Sequence, residues 1–472
     1  MLVVLWTDAL IFLLLAALGG LALYARRQAP WRAAWQRIAR APLALAMLVV
    51  LSFYLAIGVL DSLHFHPRLE RLPDATAATG APQHAAQVLS VLDLWLTPLR
   101  TRPEKTFSAP LATHAAVQEA VEHEDGTVTR AYPRLLYGGA HLVDPAREHA
   151  ADLAARCFWG MAQGMLATGA ASLLLIGGLA WRRQQAFAVL ARTLWHGPSA
   201  LPWRAAWVTL TLLLILAFTA GELAAHYHLF GTDRVGEDVF YQTLKSIRTG
   251  LVIGTLTTLT MLPAALVLGI MAGYFGGWID DAIQYLYTTL NSIPGVLLIA
   301  AAILMLQVYM TQHAEDFASV AERADVRLLF LCLILGVTSW TGLCRLLRGE
   351  TLKLREAAYV QAAVALGVRH ATVIRRHILP NVLHLIIITL TLDFSGLVLA
   401  EAVLSYVNIG VDPTTHSWGN MINGARLELA REPIVWWSLT AAFLFMFVLV
   451  LAANLFADAV RDAFDPRLRD VM

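Results

Sequence analysis

Charge is scarce in this chain. Of its 472 residues only 15% are Asp, Glu, Lys or Arg, against about 25% in ordinary soluble domains. The charges nearly cancel, leaving a formal net of +1, so nothing favours a nucleic-acid partner. Cysteine is scarcer still. Cys157, Cys332 and Cys344 stand apart with no CxxC spacing. That excludes a disulfide framework or a zinc ribbon and leaves three small hydrophobes. No phosphate-binding loop, dinucleotide fingerprint or nucleophile elbow occurs. No zinc-binding, phosphate-binding or dinucleotide-binding motif is therefore expected to serve a catalytic or cofactor role.

What is present is apolar. Hydrophobic residues make up 58% of the chain, gathered in runs long enough to cross a bilayer. The runs cover residues 2–24, 42–60, 158–181, 205–226, 250–272, 283–307, 328–343, 382–407 and 435–456. The fold class read from them is an all-α integral membrane protein, a polytopic helical bundle of about nine spans. Pro294 lies inside the sixth run and predicts a kink, tolerable only where protein or water lines the freed carbonyl. A signal peptide would carry its basic residues ahead of a shorter apolar core. Here Arg26, Arg27, Arg32, Arg37 and Arg40 follow the first run, with no acid among them. Further basic clusters are Arg182, Arg183, Arg192 and Arg204, then Arg345, Arg348, Lys353, Arg355, Arg369, Arg375 and Arg376. Basic loops stay on the cytoplasmic side. Nine spans starting outside and ending inside satisfy all three clusters.

Residues 61–156 are different material. They hold 12 acidic and 9 basic residues, several prolines and no sustained apolar run, which reads as an aqueous excursion on the outer side. Seven histidines fall here, including His64 and His66. They lack paired Cys or carboxylate spacing and read as surface groups. Residues 311–327 read as a second outer loop. The domain reading is 1–60 for two spans and a basic loop, 61–156 for the outer excursion, 157–204 for a third span and basic loop, and 205–472 for the core.

The most informative stretch is 345–381. Its middle, Glu356-Ala-Ala-Tyr-Val-Gln361-Ala362-Ala363-Val-Ala-Leu-Gly367, predicts a short helix of small residues closed by a glycine. Such a helix is slim enough to lie in a groove of another protein. Arg376-His377-Ile378-Leu379-Pro380 follows. This run resembles the cytoplasmic loop of ABC-importer permeases of the dipeptide, oligopeptide and nickel family, of the second-permease type. That loop reads Glu-Ala-Ala, three residues, Gly, then a spacer to Ile-x-Leu-Pro. Gln361 stands where the family usually has Glu, which removes a charge. His377 stands where the general pattern has Ile, although the peptide branch commonly reads Arg-His-Ile-Leu-Pro.

The resemblance extends over about residues 228–469. His228-Leu-Phe-Gly231-Thr232-Asp233-Arg-Val-Gly236-Glu237-Asp238-Val239 is similar to His-Pro-Leu-Gly-Thr-Asp-x-x-Gly-Arg-Asp-Val, with Leu229 for Pro and Glu237 for Arg. Its glycines suit tight turns, and its acids can cap the segment that follows. Gly273-Tyr-Phe-Gly276-Gly277-Trp278-Ile-Asp280 matches Gly-Tyr-Phe-Gly-Gly-x-x-Asp. The stretch around Asp412, Pro413, Trp418 and Gly419 and the tail Arg461-Asp462-Ala463-Phe464-Asp465-Pro466-Arg467 also resemble the family. An ionisable residue inside a span is a functional candidate by default. Asp393 and Glu401 share the eighth run, eight residues and so roughly 80° apart on a helix. Glu401 falls in Leu399-Ala400-Glu401-Ala402-Val403-Leu404-Ser405, similar to the family's Leu-Ala-Glu-Ala-x-Leu-Ser-Phe. Both acids either line a polar path or bond neighbouring helices.

The resemblance implies a six-span ABC-importer permease core and a multi-pass subunit of the bacterial inner membrane. It implies no enzyme activity in this chain, ATP being bound by two separate ATPase subunits. The 356–367 helix would couple to them through Glu356, Gln361, Ala362, Ala363, Gly367, Leu379 and Pro380. A second permease subunit, a periplasmic substrate-binding protein and the lipid bilayer complete the implied partners. Substrates would be di- or oligopeptides, or alternatively nickel or another small solute. An ATPase-independent secondary transporter would need inverted repeats, and none is evident. A membrane enzyme would have to use the histidines of 61–156.

Overall fold

The computed structural model describes residues 2–25, 27, 29–67, 88–122, 128–186, 188–189, 202–317 and 319–464. Arg26, Arg192, the tail residues Asp465, Pro466 and Arg467, and parts of the outer excursion lie outside the described residues. In chain order the helices are α1 (Trp6–Ala25), α2 (Ala29–Arg40), α3 (Pro42–Asp61), α4 (Val91–Trp95), α5 (Thr97–Arg100), α6 (Pro145–Arg183), α7 (Trp203–Ala224) and α8 (Val239–Phe275). They continue as α9 (Gly277–Ser292), α10 (Gly295–Gln312), α11 (Val320–Arg355), α12 (Ala358–Ala365), α13 (His370–Val373), α14 (Leu379–Tyr406), α15 (Trp418–Ala425) and α16 (Trp437–Phe464). Among the described residues eight helices are long and apolar enough to cross a membrane, and α1 adds a shorter apolar stretch, Trp6–Gly20. The chain is thus a multi-pass, all-helical membrane protein.

Three boundaries depart from the sequence reading. The run 283–307 is not one kinked helix: α9 ends at Ser292 and α10 begins at Gly295. Pro294 disfavours helical backbone at the residue before it, and Ile293 is extended at φ −90°, ψ 126°. The outer loop of 311–327 shrinks, because α10 runs on to Gln312 and Ser319 caps α11 by accepting from the Glu322 N–H at 3.1 Å. The short helix predicted over 356–367 is confined to α12. Glu356 closes α11 instead, its N–H reaching the carbonyls of Leu354 and Lys353.

The chain forms two compact units that do not follow the sequence division at 204/205. The first comprises Met1–Val3, Gln36–Arg248 and His416–Ala452. Here strands β1 (Leu2–Val3), β2 (His64–Phe65) and β3 (Leu89–Ser90) pair antiparallel, and β4 (Glu119–Glu122) pairs with β5 (Val128–Ala131). Helices α6 and α7 touch through backbone. A Cβ on Gly160 would lie 2.5 Å from the Thr219 Cα, and one on Gly164 would lie 2.6 Å from the Ile215 Cα. This is the close approach that a Gly-x-x-x-Gly spacing permits in lipid.

The second unit comprises Val4–Trp35, Thr249–Thr415 and Ala453–Met472. Helix α1 therefore belongs with the core, and α7 does not. The Thr7 N–H and hydroxyl both donate to the buried Asp325 carboxylate of α11. Leu10 and Ile11 pack on a cluster containing Val252, Ile303, Leu328 and Leu331. A second cluster joins Tyr274, Trp340, Leu347, Val360, Ala363, Val373 and Ile378. At about 1.5–3 kcal/mol per large apolar side chain in water, these clusters would dominate a soluble fold. In lipid they act chiefly through packing and close contact.

Candidate functional site

Helix α12 has only eight residues, so its order must come from neighbours and caps more than from propensity. Its C-terminal end carries a Schellman motif. The Gly367 N–H donates to the Val364 carbonyl at 3.0 Å and the Val368 N–H to the Ala363 carbonyl at 3.1 Å. Gly367 has φ +74°, backbone that costs a side chain about 1–2 kcal/mol. Val360 and Ala363 face inward and are buried among Tyr274, Val373 and Ile378. Ala363, read from sequence as part of an outward face, is therefore turned into this chain's own core. The i, i+3 spacing of Val360 and Ala363 puts both on one side of the helix. Gln361, Ala362, Val364 and Leu366 remain exposed, Leu366 at 84%.

Gln361 has a local partner. Its amide donates to the Glu356 carboxylate at 3.1 Å, and Arg355 donates to the same group at 3.2 Å. A Glu at 361 would set two carboxylates side by side, so the neutral residue suits this neighbourhood. Beyond α12 the chain passes through α13 and one π-helical turn, Ile374–Ile378. Leu379 packs against the buried cluster, while Pro380 sits exposed just after the π-helical turn.

The two acids of α14 differ. Glu401 is buried and accepts from the Ser405 hydroxyl at 2.7 Å. The Ser405 hydroxyl oxygen also accepts from the Val411 N–H at 3.4 Å. Gly410 is pressed against Ser405, and a Cβ there would lie 2.0 Å from the Ser405 Oγ. Arg327 donates to the Gly410 carbonyl at 3.2 Å and stands 3.7 Å from Asp412. Glu401 thus braces the turn that closes the end of α14. Asp393 is half-buried and has no hydrogen-bond or ion-pair partner among the described residues. Nearby polar groups serve packing: the Ser395 hydroxyl bonds Asn454 of α16 at 2.7 Å, and the Thr341 hydroxyl bonds Asn291 at 3.2 Å.

Two polar clusters in the first unit escaped the sequence reading. In one, Lys245 of α8 lies 2.5 Å from Asp61 at the end of α3 and 3.2 Å from Asp93 of α4. Tyr241 donates to Asp93 at 2.8 Å, and Ser90 donates to Asp61 at 2.7 Å. Burial opposes the charge on Asp93, but Lys245 and the hydrogen bonds from the Ser90 N–H and the Tyr241 hydroxyl outweigh it and hold its pKa below the usual carboxylate range. In the other, His228 lies between Asp238 at 2.7 Å and Glu104 at 3.3 Å. Glu104 also accepts from the N–H groups of Leu136, Tyr137 and Gly138 at 2.8–3.0 Å. Burial penalises both charges; the mutual pairing and the N–H donors outweigh it, taking His228 up to about 9 and Glu104 down to about 2.

The 61–156 segment is therefore welded to the 228–239 stretch. The glycines of that stretch make this possible. Gly231 (φ +69°) and Gly236 (φ +80°) would place a Cβ 2.2 Å from the Ser108 carbonyl oxygen and 1.8 Å from that of Glu104. Asp238 caps α8 by accepting from the Phe240 and Tyr241 N–H groups at 2.8 and 3.0 Å. Lys245, in the polar first turns of a helix that becomes apolar after Arg248, was the signal available in the sequence. Its partners, 184 and 152 residues away, were not.

Comparison with known proteins bears on the same region. Residues 265–470 match the family model of the binding-protein-dependent transport system inner membrane component. The chain is 31% identical over 244 residues, 52% of its length and 77% of the relative's, to the oligopeptide transport system permease protein OppC of Mycobacterium tuberculosis. It is 31% identical over 251 residues, 53% and 75%, to the glutathione transport system permease protein GsiD of Pectobacterium atrosepticum. With the dipeptide transport system permease protein DppC of Bacillus subtilis the identity is 31% over 242 residues, 51% and 69%.

Proposed function

We propose a function for this chain, which belongs to the family of binding-protein-dependent transport system inner membrane components: it is the permease subunit of an ATP-driven peptide importer in the inner membrane. The relatives named for oligopeptide, dipeptide and glutathione transport favour a peptide substrate over nickel. One observation carries the mechanism. Helix α12 is seated from beneath by Val360 and Ala363, is capped at Gly367, and presents Gln361, Ala362, Val364 and Leu366 outward.

That small, partly apolar face suits a groove on an ATPase subunit. The chain carries no phosphate-binding loop, so ATP is bound by two separate ATPases, and their closure drives α12. A second permease completes the path, and a periplasmic binding protein delivers the peptide to the outer side. Asp393 is the better candidate for a path residue, since its carboxylate is uncommitted among the described residues; Glu401 serves the turn beyond it.

The test is association. Ala362→Trp adds bulk at an exposed position, and Gly367→Val strains a backbone already at φ +74° with open space around it. Both variants are expected to insert normally and to lose co-purification with the ATPases together with substrate-stimulated hydrolysis. If association and stimulated hydrolysis both survive in both variants, α12 is not the coupling helix.

A further inference from the structure

The Gly-Tyr-Phe-Gly-Gly-x-x-Asp stretch has no part in the proposal so far, yet it contacts the chain on both sides of α12. It forms the elbow between α8 and α9, turning at Gly276 with φ +65° and Gly277 with φ +54°. On the side leading into α12, Arg348 of α11 donates through Nε and a terminal nitrogen to both oxygens of Asp280, at 2.5 and 2.7 Å. This two-point geometry fixes direction as well as distance. Gly273 lets the elbow backbone meet α11: a Cβ there would lie 2.6 Å from the Arg348 carbonyl oxygen and 2.6 Å from the Thr351 Cβ. On the side leading out, the Tyr274 hydroxyl shares a hydrogen bond with His370 Nδ1 at 2.8 Å. The Phe275 ring stands edge-on to the same imidazole at 5.9 Å. Tyr274 also belongs to the buried cluster that holds Val360 and Ala363.

Only Glu356 and Ala357 separate α11 from α12, and His370 follows Gly367 by three residues. The elbow therefore grips the entry and the exit of α12 while touching its buried face. We propose that Tyr274, Asp280 and Arg348 are positioning residues that join α12 to the α8–α9 elbow as one mechanical body, so that displacement of α12 is passed to the 37-residue helix α8. This rests on α12 being the coupling helix. A loosely tethered α12 could dock on an ATPase and still fail to move the spans; the elbow supplies the stiffness that docking alone does not. It also accounts for the spacing of the stretch. Gly273 and Tyr274 end α8, the two following glycines make the turn, and Asp280 lies in the first turn of α9.

The experiment uses the full complex, permeases with ATPases and binding protein, in nanodiscs or proteoliposomes, with tripeptide uptake counted against ATP hydrolysed. Tyr274→Phe with Asp280→Asn removes one hydrogen bond and the bidentate pair at nearly constant volume. The expected result is unchanged co-purification with the ATPases and a several-fold drop in peptide moved per ATP. Exchanging the pair, Asp280→Arg with Arg348→Asp, is expected to recover part of that loss, which a purely structural defect would not allow. Arg348→Lys keeps the charge but not the two-point contact and is expected to fall between. Unchanged peptide per ATP in the double variant overturns the proposal. So does loss of ATPase association with the spans still inserted, because the elbow would then be part of the docking surface. Ala362→Trp in the same assay separates the two readings. Retained association and stimulated hydrolysis both there and in Gly367→Val remove the coupling helix itself; lost association there, with full coupling in the elbow variants, removes the elbow alone.

Discussion

Raising the pH should loosen the 61–156 segment from the 228–239 stretch, and the upper bound on the effect follows from His228. Its ring is buried and bonded on both nitrogens by carboxylates, to Asp238 at 2.7 Å and to Glu104 at 3.3 Å. Those partners, working against burial, raise its pKa from 6.5 to about 9. A raised cation stabilises the docked state fully below the unfolded pKa and loses that contribution as pH climbs through the folded one. The window is thus from 6.5 to about 9. A shift of that size corresponds to about 3 kcal/mol, which sets an upper bound on the order of a hundredfold for docking, because Asp238 lies in the same stretch as His228 and only the Glu104 share crosses the junction. Glu104 acts in the opposite direction, with a pKa lowered to about 2; its contribution is present above its ordinary value and disappears only in strong acid. Hydrogen exchange read by mass spectrometry in nanodiscs, corrected for intrinsic exchange, measures the docking. Peptides covering residues 102–110 and 226–238 should lose protection, by at most on the order of a hundredfold, between pH 6.5 and 10. In His228→Gln the protection should be lower throughout and nearly flat over that range. Protection that stays constant in the native chain, or that falls equally in the variant, refutes the reasoning.

Lys245→Met should destabilise the first unit by about 3–5 kcal/mol, since it leaves Asp61 and Asp93 buried without their cation; a thermal midpoint in detergent equal to that of the native chain would contradict this. Asp393→Asn should lower peptide uptake while membrane level and complex assembly stay normal, because the carboxylate has no partner to lose among the described residues; loss of the protein itself would assign Asp393 to packing instead.

Local pattern was enough for some of this. The spans were legible because a bilayer demands long apolar runs and internally bonded backbone. The cap at Gly367 was legible because a helix of small residues followed by glycine admits few endings. The break at Pro294 was half legible: proline announced a disturbance, but whether the helix kinks or stops depends on the backbone of Ile293, which is extended. What stayed hidden was set by distance along the chain. Sequence order makes α7 the natural entry helix of the core, since it leads directly into the 228–239 stretch. The structure instead draws α1 into the core unit, through Thr7 on Asp325 and Leu10 and Ile11 on the apolar cluster. Ala362 and Ala363 were indistinguishable as letters, and only the burial of Val360 decides which of the two turns inward.

The same limit explains why Asp393 and Glu401 looked alike. Both are acids in one apolar helix, and a lipid-facing charge is too costly for either to be incidental. The cost can be met in two ways. Glu401 meets it by bonding Ser405, whose hydroxyl oxygen also receives the Val411 N–H, while Gly410 allows the chain to fold back closely enough for both contacts. Replacing Gly410 by any larger residue would force that turn open and take the bond from Glu401, so the acid and the glycine form one device although they lie nine positions apart. Asp393 shows no such arrangement among the described residues. A half-buried acid in a span needs water, a partner subunit or a passing solute for its carboxylate. Of two residues that sequence ranks equally, Glu401 is thus bonded within the fold, and Asp393 is the one whose replacement by Asn tests the path.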